Sequence, residues 1–251
     1  MSTASSVRSA RGEPDLLGQT VVLIGGSAGI GLETARKARA AGANVILTGR
    51  DVGRLQRAAA DVDAQDTAAF DATDPASLAQ FFDGLPGPID HVLVTAGGPH
   101  YTPLLQMTPE QVREAMSDHV VLAVAVAQHL VGRVRPGGTM LLMGGTGGRR
   151  IRRDVGLISA ASAALPPLTA TLALVLAPIR VNLIAAGFVD TPLSASLLGD
   201  GLTARRDELR ATLPIGRVVG PADVAALAVH LMTNTALTGA TYDIDGGQQF
   251  V

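Results

Sequence analysis

"TVVLIGGSAGIGLE", residues 20–33, decides how this chain folds. An apolar run of strand length enters a glycine-rich turn, and a helical pattern follows at once. Gly25, Gly29 and Gly31 leave room for a tight turn and for close approach of a diphosphate to backbone N–H groups. The helix that starts there points its positive end at such a group. A glycine triplet alone says little; its place between a first strand and a first helix is the context the motif needs. Ser27, Ala28 and Ile30 complete the turn as candidate nucleotide contacts.

The same alternation continues outward. "NVILTG" (44–49), "TAAF" (67–70), "HVLVTA" (91–96), "TMLLMG" (139–144), "RVNLIA" (180–185) and "TYDI" (241–244) read as further strands. Between them, helices are expected from about Ile30 to Ala41, Asp51 to Ala60, from near Asp74, and from about Thr108 to Val134. Strands apolar on both faces, alternating with helices, predict a doubly wound α/β domain of Rossmann type. Its parallel sheet is expected to have seven strands, with helices on both faces. A single domain is expected over 16–251, preceded by a polar tail over 1–15 that lacks the apolar centre of a signal peptide.

Composition narrows the partners. Hydrophobic residues make up 47%, charged residues 17%, and the net charge is −2. No basic block is dense enough to follow a phosphate backbone, which argues against nucleic acid. Cysteine is absent, so thiol chemistry is excluded, and no His/Asp/Glu group has metal-ligand spacing. Residues 155–179 carry no charge, but their hydroxyls and Pro166-Pro167 favour a packed helix over a membrane span. The proline pair is expected to kink or interrupt that helix. A cytoplasmic location is expected.

The tip of strand 2 reads Thr48-Gly49-Arg50. An acid there would receive a ribose 2′-hydroxyl, whereas a guanidinium suits a 2′-phosphate, so NADP(H) is favoured over NAD(H). Asp51 reads as the N-cap of the next helix.

With these motifs in order, the chain from about Leu17 onward resembles the short-chain dehydrogenase/reductase family. The resemblance implies adenine contacts at Asp71 and Ala72, and cofactor contacts at Thr95-Ala96-Gly97, where the family has Asn-Ala-Gly. It also implies contacts from Gly187, Val189 and Thr191 over the nicotinamide, and a homodimer or homotetramer. The family's Asn, Ser, Tyr and Lys fall near His119 and on Gly145, Ile158 and Ser162, so all four differ here. Alignment shifts do not restore the pair. The chain's tyrosines are Tyr101 and Tyr242, and its one lysine is Lys37, on the first helix.

His119, Tyr101 and Ser159 remain as candidates for substitute proton chemistry. His100 and Tyr101 lie in a loop at the carboxyl end of strand 4. Arg149, Arg150, Arg152, Arg153 and Asp154 form a loop suited to an anionic small-molecule substrate. Three functions are expected to compete. One is an oxidoreductase that moves a hydride to or from a carbonyl, imine or conjugated molecule with non-standard proton delivery. The second is a silent NADP(H)-binding sensor or inactive partner subunit, and the third a non-redox cyclase or dehydratase in the same cleft.

Overall fold

The computed structural model describes residues 15–98, 102–149 and 157–251. The strands are β1 (Thr20–Ile24), β2 (Asn44–Gly49), β3 (Asp66–Ala69), β4 (Ile89–Val94), β5 (Val134–Gly145), β6 (Arg180–Ala186) and β7 (Thr241–Ile244). They form one parallel sheet in the order β3-β2-β1-β4-β5-β6-β7. Strand order reverses between β1 and β4, which opens a crevice at their carboxyl ends.

The helices are α1 (Gly29–Ala40), α2 (Val52–Val62), α3 (Pro75–Asp83), α4 (Pro109–Met116), α5 (Leu122–Leu130) and α6 (Ile158–Val175). Three more follow: α7 (Pro192–Leu198), α8 (Leu202–Thr212) and α9 (Pro221–Thr233). Each face of the sheet has its own core. In β1, Val22 and Ile24 join Phe82, Leu130 and Leu142 on one side. Val21 and Leu23 join Ala35, Val45 and Leu231 on the other. This is the two-residue period of a strand buried on both faces.

Two expectations change. The helix expected over 108–134 is α4, a π-helical turn (Ser117–Val121) and α5, and it stops at Leu130. Gly132 then takes a left-handed φ of 77°, and the chain enters β5 at Val134. The second concerns Pro166 and Pro167, which lie inside an unbroken α6. Leu165, Thr169 and Leu172 are buried on the sheet side of that helix, and their packing carries it across two missing N–H donors. By length and composition α6 could cross a membrane. Here one of its faces lies in the core, with Leu165 and Leu172.

Two buried polar groups fasten the amino-terminal edge of the sheet. Arg180 donates through Nη1 to the carbonyls of Leu231, Asn234 and Leu237, and through Nη2 to Met232. A buried cation is thereby held by the carbonyl end of α9. His91 sits between Thr139 and Gln19: Nδ1 is 3.0 Å from Thr139 Oγ1, and Nε2 is 2.6 Å from Gln19 Oε1. A neutral ring that accepts from the threonine and donates to the amide oxygen satisfies both contacts.

Burial pushes the His91 pKa down to about 4. As pH falls from 6.5 to 4, the unfolded chain takes up a proton that the folded one refuses, so stability declines across that window, by about 3 kcal/mol. Thermal melts at pH 7 and pH 4 check this. The loss of Tm between the two should be smaller in His91→Gln than in the wild type, and equal losses would contradict it.

Candidate active site

The carboxyl ends of β1, β4, β5 and β6 meet at a cavity of about 720 Å³. Ile30 enters from the glycine turn, Thr95, Ala96 and Gly97 from the end of β4, and Asp118 and His119 from the π-helical turn. Gly145, Ile158 and Ser162 form a wall between β5 and α6, and Gly187, Val189 and Thr191 follow β6.

The glycines of the turn have different tasks. A Cβ on Gly31 would sit 2.3 Å from the Gly25 carbonyl oxygen, and one on Gly25 would sit 2.7 Å from the Ala96 nitrogen. Both positions are closed by the protein's own backbone. Gly29 has a φ of +53°, and a Cβ there would meet only Thr191, at 3.5 Å. It is the member of the triplet that faces open space. Thr95 Oγ1 donates to the carbonyl of Gly25 at 2.9 Å and lies 3.3 Å from that of Ile24, which binds the tail of β4 to the turn.

Helix α1 has the extended Ala28 as its N-cap, and a methyl side chain brings no acceptor to the first N–H groups. By contrast, α2, α3, α4 and α7 are capped by Asp51, Asp74, Thr108 and Thr191. Uncapped donors beside an open glycine fit a nucleotide diphosphate. Asp51 Oδ1 accepts from Arg54 N at 2.7 Å, and this bond holds its pKa below the usual value. The only acid at the tip of β2 is therefore a helix cap, as the sequence suggests. Arg50 is exposed and makes no hydrogen bond or ion pair with the described residues. Ser27 lies against Gly49, where a Cβ would come within 2.8 Å of its Oγ. Asp71 accepts from the N–H and hydroxyl of Thr73, the first of these lowering its pKa most, with Arg50 adding to the effect. Ala72, next to it, is buried.

The wall formed by Gly145, Ile158 and Ser162 is uncharged. A Cβ on Gly145 would lie 3.4 Å from Ser162 Oγ, so these two positions face each other, with Ile158 one turn before Ser162 on α6. Of the proton-donor candidates, His119 lines the cavity and Ser159 does not. Ser159 is buried, and its hydroxyl finds no hydrogen-bond partner among the described residues. Tyr101 and His100 lie outside the described residues, as do Arg150, Arg152, Arg153 and Asp154. Arg149 pairs with Asp243 of β7 and does not line the cavity.

Sequence reading misses the cover of the cavity, α7 and α8, with Phe188, Leu193, Leu197, Arg205 and Glu208 on its inner side. Thr191-Pro192, an N-cap followed by proline at the first helical position, marks its start. Phe188 N donates to Gln248 Oε1 at 2.7 Å, which ties the root of this cover to the carboxyl-terminal turn.

The family described as Enoyl-(Acyl carrier protein) reductase matches residues 25–249. An uncharacterised oxidoreductase of Mycobacterium tuberculosis, MT0954, is 32% identical over 92% of this chain and 92% of its own. Among solved structures, the MalC reductase/Diels-Alderase of Malbranchea aurantiaca superposes with a TM-score of 0.88 at 25% identity, covering 95% of this chain and 99% of that one. The L-sorbose reductase of Gluconobacter frateurii, complexed with NADPH and L-sorbose, has a TM-score of 0.86 at 25% identity, covering 96% and 100%.

The division of labour among the glycines is testable. Gly31→Ala forces a Cβ into backbone and should lower stability by about 2 kcal/mol or more. Gly29→Ala meets only the left-handed backbone cost of about 1 kcal/mol and should instead weaken nucleotide binding. Denaturant melts and nucleotide titrations separate the two. Equal destabilisation with equal loss of binding would contradict the assignment.

Proposed function

The chain belongs to the short-chain dehydrogenase/reductase family and is an oxidoreductase of that family, and from that premise we propose that it uses NADP(H) to reduce or oxidise a carbonyl, imine or conjugated small molecule without the family's tyrosine–lysine proton donor. The observation that carries this reading is one continuous cavity. It runs from Ile30, in the first turn of α1, to a wall of Gly145, Ile158 and Ser162. Held at the turn, the nucleotide would supply the hydride for reduction or take it up for oxidation.

The residues of this chain then divide the work. The N–H groups of Gly29, Ile30 and Gly31 receive the diphosphate. Arg50 receives a 2′-phosphate, with Ser27 beside the tip of β2. Gly187, Val189 and Thr191 hold the nicotinamide end, and Thr95, Ala96 and Gly97 close the opposite side. An isoleucine cannot donate a proton, and serine is a poor acid. A substrate that is already electron-poor, such as an iminium or a conjugated ketone, needs little help of that kind. His119, in the cavity, hands on the proton where one is needed, with Tyr101 as the other candidate. The NADPH complex of the L-sorbose reductase supports the choice of nucleotide.

A second reading keeps the nucleotide and drops the turnover: a sensor, or the silent partner of another subunit. The four altered positions favour it. The description of the Malbranchea relative as a reductase/Diels-Alderase keeps a non-redox reaction in view as a third. We also expect a homodimer or homotetramer that covers the outward Leu174 and Val175 of α6, which are 82% and 70% exposed.

Fluorescence titration with NADPH and NADH, followed by a screen of carbonyls and imines for loss of nicotinamide absorbance, tests the proposal. NADPH should bind more tightly than NADH. Arg50→Gln should erase about ten-fold or more of that preference, the worth of a charge-assisted bond. His119→Ala should slow turnover and leave NADPH affinity intact. Binding without turnover would favour the silent reading. Conversion of a metabolite with neither nucleotide bound would overturn both.

A further inference from the structure

Two adjacent arginines on α8 are used in opposite ways. Arg206 places Nε and Nη2 on the two carboxylate oxygens of Asp190, at 2.9 and 2.7 Å, and so fixes α8 to the segment after β6. Its fork is filled from within the protein. Arg205, one residue earlier, lines the cavity with its guanidinium carbon 5.9 Å from the centre of the Phe188 ring. Only Nη1 is engaged among the described residues, with Glu208 Oε2 at 2.7 Å. The Arg205 side chain is 21% exposed and that of Glu208 57%. Leu193, Leu197 and Leu198 add an apolar surface to the same cavity, beside the uncharged polar side chains of Ser194, Gln248 and Gln249.

A planar guanidinium held by an aromatic face and one solvent-exposed carboxylate keeps its other N–H edge for a second acceptor. An exposed ion pair three residues apart on a helix is weak and is readily shared with, or displaced by, a better placed carboxylate. Such a carboxylate would be received two bonds at a time, in an apolar cleft where charge-assisted bonds are stronger. We infer that Arg205 is the anion receptor of this enzyme, and that its substrate is an apolar molecule with a carboxylate at the end remote from the reacting carbon. This deepens the reading above, which supplies only the position of the reacting carbon. It places anion recognition on the cover of the cavity and not on the arginine loop over 149–154. The opposite polarity, an ammonium group received by Glu208, is what the test must separate from it.

Octanoate, octanamide and octylamine, titrated one at a time into the NADPH-saturated protein and the nucleotide-free protein by calorimetry, make that separation. Octanoate should bind at least about ten-fold more tightly than octanamide. Arg205→Gln should remove that preference without changing NADPH affinity, Arg205→Lys should keep part of it, and Glu208→Gln should leave octanoate binding equal or tighter. The inference is overturned by octanoate binding no better than octanamide, by no binding of any of the three, by an unaltered preference in Arg205→Gln, or by preference for octylamine that Glu208→Gln abolishes. Because the wild-type comparison needs no variant, poor folding of Arg205→Gln does not rescue it. Failure of NADPH to bind, with octanoate still received through Arg205, would remove the nucleotide reading and leave this one standing.

Discussion

The closure of β4 on the glycine turn is the contact on which the site depends. The Thr95 hydroxyl reaches the Gly25 carbonyl at 2.9 Å, and the hydrogens of Gly25 and Gly31 are what allow the two backbones to approach so closely. Side chains larger than hydrogen would push β4 away from β1 at the point where strand order reverses. With the approach in place, α1 starts where its N–H groups face the crevice. Gly97, the next glycine of β4's tail, packs against the Asp118 carbonyl, where a Cβ would lie only 2.3 Å away. That contact carries the π-helical turn and His119 to the cavity rim. One close packing event thus sets both the nucleotide end and the substrate end.

The chemistry proposed for this cleft follows from what its walls lack as much as from what they hold. Gly145, Ile158 and Ser162 offer shape and one neutral hydroxyl, so in the proposed reaction orientation and exclusion of water would carry more of the catalytic burden than proton transfer. Such a wall suits a substrate whose own electronics favour hydride acceptance. Charge recognition then falls to the cover, where Arg206 is committed to Asp190 and Arg205 is turned inward. Glycines at 199 and 201, where an added Cβ would meet nothing within 4 Å, join α7 to α8 and leave the two helices a compliant connection.

Much of this was legible in the residues. Apolar runs marked the five inner strands, because a strand buried on both faces has no polar side to confuse the reading, whereas the more exposed edge strands β3 and β7 were marked by their place in the alternation. Asp51 was recognisable as a cap from its place before α2. The roles of the individual glycines were not legible: spacing cannot say whether a missing Cβ makes room for a ligand or for the protein's own carbonyl. The stop at Leu130 was obscured by apolar residues on both sides of Gly132, and the continuity of α6 by Pro166-Pro167, whose local preference is overridden by packing on the sheet. The cover escaped because α7 is only two turns long and α8 is mostly polar. Arg205 looks in sequence like any arginine on a solvated helix, and only the fold separates it from Arg206.

A crystal structure with bound NADPH tests the account most directly. The diphosphate should rest on the N–H groups at Gly29–Gly31, the 2′-phosphate beside Arg50, and the nicotinamide against Gly145, Ile158 and Ser162. A glycine turn that stays empty at saturating nucleotide, or a nicotinamide ring directed away from that wall, would contradict it.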